Sequence, residues 1–129
     1  MTSLFAFPLH LGPGGSAVPQ PEYAGPEWYE AYDQRHGADG ADGRLVSLHR
    51  FAESWTSWEM HPSGDEVVVC VEGRIALLQQ SADGSEARTE LAPGDYAING
   101  PGVWHTADVE GPATALFITV GEGTQHKPR

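Results

Sequence analysis

The stretch WEMHPSGDEVVVCVEG (58–73) sets Glu59, His61 and Glu66 just ahead of VVVCV, an apolar run suited to burial. Side chains alternate across a strand, so Glu59 and His61 share one face. The turn PSGD (62–65) reverses the chain, and Glu66 opens the next strand beside them. Another imidazole, His105, follows the Pro101-Gly102 turn early in a later strand. Two imidazoles with one or two carboxylates suit Fe, Mn, Ni, Zn or Co, and a face of two His and one carboxylate leaves positions open for substrate or oxygen. Without a cation, Glu59 and Glu66 converging in a semi-enclosed pocket would repel each other until one carboxyl became neutral. Two readings follow. Either a divalent ion is held by His61, Glu66, His105 and Glu59, or a metal-free pocket uses protonated Glu59 as a hydrogen-bond donor or catalytic general acid–base.

These residues need strands to carry them, and the chain supplies about eight. RLVSLHRF (44–51) and SWTSWEMH (54–61) alternate, and EVVVCVE (66–72) is apolar on both faces, as a central strand is. RIALLQQ (74–80) and EARTEL (86–91) flank SADGS, whose Asp83-Gly84 favours a hairpin turn. DYAI (95–98), VWHTADV (103–109) and TALFITV (114–120) complete the set, while GEGTQHKPR reads as an irregular tail. There is no βαβ rhythm and no internal repeat, so the expected fold class is all-β: an antiparallel β-barrel or jelly roll.

The first 43 residues differ. Gly and Pro crowd 11–26, and HGADGADG (36–43) reads as a flexible linker. Between them PEWYEAYDQRHG predicts one short helix, with Pro26 at its first position, Glu27 and Glu30 near its N-terminus and Gly37 ending it. Trp28 and Tyr32 share a face, for packing outside the barrel or on a partner chain. The expected organisation is an arm over 1–43, a barrel over 44–122 and a tail over 123–129.

Two residues are candidates for lining a small-molecule pocket: Trp55, on the face of Glu59 and His61, and His49, pointing inward from the neighbouring strand. Trp58 should face away. His10, His36 and His126 fall in irregular segments and are expected to be solvated, and Cys70 to be a small buried hydrophobe.

Composition narrows the function classes. Of 129 residues, 18 are acidic and 7 basic, for a net charge of −11. That argues against nucleic acid or an anionic membrane surface as partner. A single cysteine gives no disulfide framework. The N-terminal MTSLFAFPLHLGPGG lacks a basic region and its apolar run is broken by Pro8, so a soluble cytoplasmic protein is expected.

The spacing of these residues resembles the cupin superfamily. Its first motif has two His separated by one residue, then three or four residues, Glu, six residues and Gly; His61, Glu66 and Gly73 fit it. In the second motif Gly94, Gly102 and His105 fall in register. The likeness covers about residues 54–120. It departs where Glu59 replaces the first His, Glu53 a Gly, Gly100 a Pro and Val109 an Asn. The resemblance implies a cupin barrel with His61, Glu66 and His105 as metal ligands, and Glu59 occupies the remaining ligand position. It further implies a divalent cofactor (Fe, Mn, Ni or Zn), a small-molecule ligand, a homodimer, and oxygenase or isomerase chemistry on a small carbonyl or carboxylate compound. The acidic ligand favours Lewis-acid chemistry over oxygen activation. The alternative is a non-catalytic metabolite-binding module with an empty metal site.

Overall fold

The computed structural model describes residues 2–129. Its arm begins with a hairpin of β1 (Leu9–Gly12) and β2 (Ser16–Pro19), followed by helix α1 (Pro26–His36). Nine more strands follow: β3 (Arg44–Phe51), β4 (Ser57–Met60), β5 (Glu66–Glu72), β6 (Ile75–Gln80), β7 (Glu86–Leu91), β8 (Tyr96–Asn99), β9 (Trp104–Asp108), β10 (Ala113–Thr119) and β11 (Gln125–Pro128). They form two sheets, ordered β2-β1-β3-β10-β5-β8 and β11-β4-β9-β6-β7, with every pairing antiparallel. The fold is the expected all-β jelly-roll type, though the two sheets do not close into one continuous hydrogen-bonded barrel.

Period-two alternation builds the core. In β5 the side chains of Glu66, Val68 and Cys70 are buried, while Val67, Val69 and Val71 lie on the other face and Val71 is exposed. Val68 and Cys70 meet Ile75, Leu77, Leu91, Ala107 and Phe117, so both sheets contribute to one apolar cluster. Strand β5 is therefore internal to its sheet, between β10 and β8, but apolar residues on its outer face remain uncovered by this chain. Gly73, which ends β5, has φ 78°, and a Cβ there would come within 2.5 Å of the Pro112 carbonyl oxygen. A left-handed backbone and a close crossing thus both require glycine. Asp83 accepts a hydrogen bond from the Ser85 N–H at 2.9 Å, and Gly84 has φ 85°, closing the expected β6–β7 hairpin.

Three segments are more ordered than their composition suggests. The Gly-rich stretch after α1, read as a flexible linker, winds as short 3-10 turns over Gly37–Asp42, kinked at Gly40, whose φ is 54°. The tail, read as irregular, contains β11, which pairs with β4 from Met60 to Ser57. Its Lys127 ammonium lies 4.5 Å from the Trp104 ring centroid and 5.8 Å from that of Trp58, giving those two indoles a role outside the cavity. In the arm, β1 pairs with β3. Its apolar alternation is too short to separate from a loop by pattern alone.

Helix α1 has Pro26 in its first turn, and the Gly37 N–H donates to the Asp33 carbonyl at its end. Trp28 and Tyr32 stack at 5.6 Å and pack with Leu45 of β3, while the Trp28 indole donates to the Pro21 carbonyl at 3.0 Å. The shared aromatic face is thus buried on this chain's own sheet. Among the described residues no helix is long and apolar enough to cross a membrane.

Candidate metal centre

Strand pairing brings the four donors together. Glu59 of β4 is directly opposite His105 of β9, and Glu66 begins β5 after the turn that follows His61. Ligand atoms of Glu59, His61, Glu66 and His105 all lie within 4.8 Å of one another. His61 Nε2 is 2.9 Å from Glu59 Oε1 and 3.0 Å from Glu66 Oε2, and His105 Nε2 is 3.1 Å from Glu66 Oε1. The side chains of His61, Glu66 and His105 are buried, whereas that of Glu59 is 26% exposed and its Oε2 is 3.4 Å from His126 Nε2.

The surrounding hydrogen bonds fix which atoms are free. Thr124 Oγ1 donates to the Gly121 carbonyl at 2.8 Å, so at its 2.8 Å contact with His61 Nδ1 it must accept. The Val103 carbonyl can only accept, and it faces His105 Nδ1 at 3.3 Å. Both rings therefore carry a proton on Nδ1, which leaves Nε2 to face the carboxylates. Glu66 is already supplied: Asn99 Nδ2 donates to Oε1 at 3.1 Å and Thr119 Oγ1 to Oε2 at 2.6 Å. Asn99 is itself held by Gln79 at 2.8 Å.

His61 Nε2 and His105 Nε2 are buried and lack a hydrogen bond of proper geometry, despite their short distances to carboxylate oxygens. Two lone pairs aimed at acceptors are repulsive unless a proton or a cation sits between them. A divalent cation fits this donor set, because imidazole nitrogen and carboxylate oxygen are its usual ligands and outer partners already hold the rings. Without a cation, a proton does the same work. Burial disfavours charge on His61, but Glu59 and Glu66 outweigh it and raise the imidazole pKa to about 9. Burial likewise disfavours the Glu66 carboxylate, yet His105 and His61 hold it far below the usual range.

Above the donors opens a cavity of about 890 Å³. Trp55 and His49 both line it, His49 from β3 and Trp55 from the irregular segment ahead of β4, which is shorter than the strand expected over 54–61. Burial lowers the His49 pKa, against the pull of Glu59, so this ring is neutral. Trp58 and Trp104 do not line it. Sequence reasoning missed Tyr23 and Tyr29, which reach the cavity from the arm, and the outer partners Asn99, Thr119 and Thr124. The only signal for Asn99 was an amide at the end of a strand, beside a Gly-Pro-Gly turn. His10, expected in solvent, is 2% exposed.

No protein-family model matches the sequence, and no curated protein matches it either. Solved structures do. Oxalate oxidase in complex with glycolate aligns with a TM-score of 0.56 and 13% identity, over 64% of this chain and 45% of that one. Hydroquinone 1,2-dioxygenase from Sphingomonas sp. TTNP3 aligns at 0.52 and 19% identity, over 59% of each chain. A cupin superfamily protein from Desulfitobacterium hafniense DCB-2 aligns at 0.50 and 22% identity, over 59% of this chain and 65% of its own. The chain thus spans less than two thirds of each of these proteins, and at such identities the likeness concerns the fold. With two antiparallel sheets, the paired motifs at their mouth and these structural relatives, this chain has the fold of the cupin superfamily.

Proposed function

We propose that the protein binds a divalent metal ion through His61, Glu66, His105 and Glu59 at the floor of a small-molecule pocket, and that it acts on a small carbonyl or carboxylate compound as an isomerase- or oxygenase-type enzyme. The observation that carries this reading is the pair of buried Nε2 atoms, fixed by Thr124 and Val103 and lacking hydrogen-bond partners. When bound, the ion would supply Lewis-acid polarisation of a substrate oxygen or activation of dioxygen. The rest falls to the chain. Trp55 and His49 shape the wall, and His61, Glu66 and His105 are buried at the floor. Glu59 has one oxygen on His61 and the other toward solvent-exposed His126, so it can carry a proton between pocket and solvent. Its two roles, fourth ligand and acid–base, are alternatives.

A second reading is a metabolite-binding module whose metal site is empty. It is favoured by the proton that His61 can hold in place of a cation, since this keeps the cluster coherent without metal. Elemental analysis of protein purified without a His-tag or chelator, beside the H61A/H105A variant, separates the two. Near-stoichiometric metal in the parent and none in the variant supports the metal reading. No uptake, even after reconstitution with Fe, Mn, Ni and Zn, leaves the binding module.

A further inference from the structure

Two features of the cavity bear on what it accepts. The first is its wall. Tyr29 of α1 contacts Tyr23 with ring centroids 5.7 Å apart; Tyr23 contacts His49 at 5.5 Å, His49 contacts Phe117 at 5.9 Å, and Phe117 contacts Trp55 at 6.0 Å. An uninterrupted series of rings thus descends from the arm to the barrel interior. Its two phenols come from a segment outside the stretch that carries the cupin motifs. Burial, then the neighbouring Tyr23 hydroxyl, pushes the Tyr29 phenol above its usual range, so this wall residue stays uncharged.

The second feature is charge. If the floor holds a divalent ion, as proposed above, the two carboxylates of Glu59 and Glu66 cancel its charge and two neutral imidazoles add none. An imidazole at position 59 would instead leave one net positive charge. No lysine lines the cavity, and Asp33 on its wall adds a further acid. Arg50 reaches its rim, where Nε donates to Thr114 Oγ1 at 3.4 Å and the guanidinium lies 5.5 Å from the Phe5 ring centroid; its single positive charge is formally offset by Asp33. The exposed His126 is occupied with Glu59. An entering dianion would lose its hydration and meet no surplus positive charge to replace it. A flat, uncharged molecule loses little hydration and gains the rings.

We propose that this cavity selects a flat, uncharged, conjugated ligand bearing a hydroxyl or carbonyl oxygen over dicarboxylates, and that Glu59 sets this preference. The claim rests on the metal reading, and one experiment separates their failures. Protein reconstituted with zinc is first assayed for metal content. 2-Hydroxyacetophenone and phthalate, which are similar in size and both aromatic, are then titrated against the zinc protein by calorimetry, with Trp fluorescence as a second readout. The neutral compound is expected to bind at least tenfold more tightly. In E59Q, which removes one negative charge at nearly constant shape, the ratio should fall tenfold or reverse; E59H serves if E59Q does not fold or retain zinc. Equal or tighter binding of phthalate by the zinc-loaded parent, or an unchanged ratio in a zinc-loaded variant, overturns the ligand preference alone. Failure of the parent to take up zinc, iron, manganese or nickel overturns the metal reading and, with it, the role given to Glu59.

Discussion

Among the described residues, two places in this molecule gather histidines and carboxylates within 4.8 Å, and they behave oppositely. One is the floor formed by Glu59, His61, Glu66 and His105. The other joins His10, His36 and Asp39 where the arm meets its helix. In the second, burial, helped by Asp33 and Asp39, pushes the Tyr32 phenol up to about 12, so it keeps the proton it donates to His10 Nδ1 at 2.6 Å. His10 Nε2 then donates to Asp39 at 2.7 Å, and His36 Nε2 meets Gln20 at 2.9 Å. The His10 and His36 rings stack at 4.0 Å and 15°, so their nitrogens do not point toward a common centre. At the floor both Nε2 atoms are buried and unpartnered, and the His61 and His105 rings are 5.2 Å apart and tilted by 38°. Nearness of ligand types is common to both clusters. What separates them is whether the lone pairs are already used.

Breaking each cluster in turn tests this contrast. The largest effect is expected from H61A/H105A, which should lower metal affinity by ~1,000-fold or more by removing two ligands while leaving the fold intact by circular dichroism. Next comes T124V, which removes the acceptor that orients His61. A loss of roughly 10–100-fold in metal affinity is expected, as for other outer-partner changes, measured by chelator competition; an unchanged affinity would show that Thr124 does not set the ring's tautomer. The opposite cluster should respond in the opposite currency. H10A should leave metal stoichiometry unchanged and cost about 2 kcal/mol of stability in urea unfolding, because it strands a buried phenol and a carboxylate. Loss of metal in H10A would erase the distinction.

The smallest effect per step, and the sharpest, is in pH. His61 binds a proton in the metal-free protein up to about pH 9, and a cation must displace it. Metal affinity should therefore rise about tenfold per pH unit up to about pH 9. The metal-free protein should run the other way. Since the folded pKa lies above the ordinary value of 6.5, the stability contributed by His61 is complete below about 6.5 and is lost as pH rises through about 9. Thermal midpoints of the metal-free and loaded forms should thus diverge between these limits. Parallel curves would mean that proton and cation do not compete for one site.

How far the sequence leads depends on the range of the signal. Alternation is local, so most of the strands from 44 to 120 and the faces of His49 and Glu59 could be read directly, whereas Trp55 and His61 flank β4 and reach the cavity from outside it. The junction of β4 with β9, which sets Glu59 opposite His105, is long-range, and there the paired motifs supplied what periodicity could not. Neither signal reaches Thr124, whose hydroxyl matters only because β11 folds back along β4. The same holds for Tyr23 and Tyr29. Nothing local shows that a helix near the start of the chain will face a cavity made by its later strands, and an amphipathic aromatic pair such as Trp28 and Tyr32 reads equally well as a partner-binding face. His10 was misjudged because partners 22 and 29 residues away satisfy it.

The return of β11 along β4 also has a consequence in time. His61 leaves the ribosome well before Thr124, and Glu59 precedes His126 by 67 residues. At roughly 5–20 residues per second, that gap lasts about 3 to 13 s. During this interval the growing chain already carries His61, Glu66 and then His105 but lacks the hydroxyl that orients the first ring. A cation met by the nascent chain would find mobile, weakly organised ligands. A metal ion would therefore be held by a site completed only once β11 has paired with β4, and that strand acts as the catch that closes it.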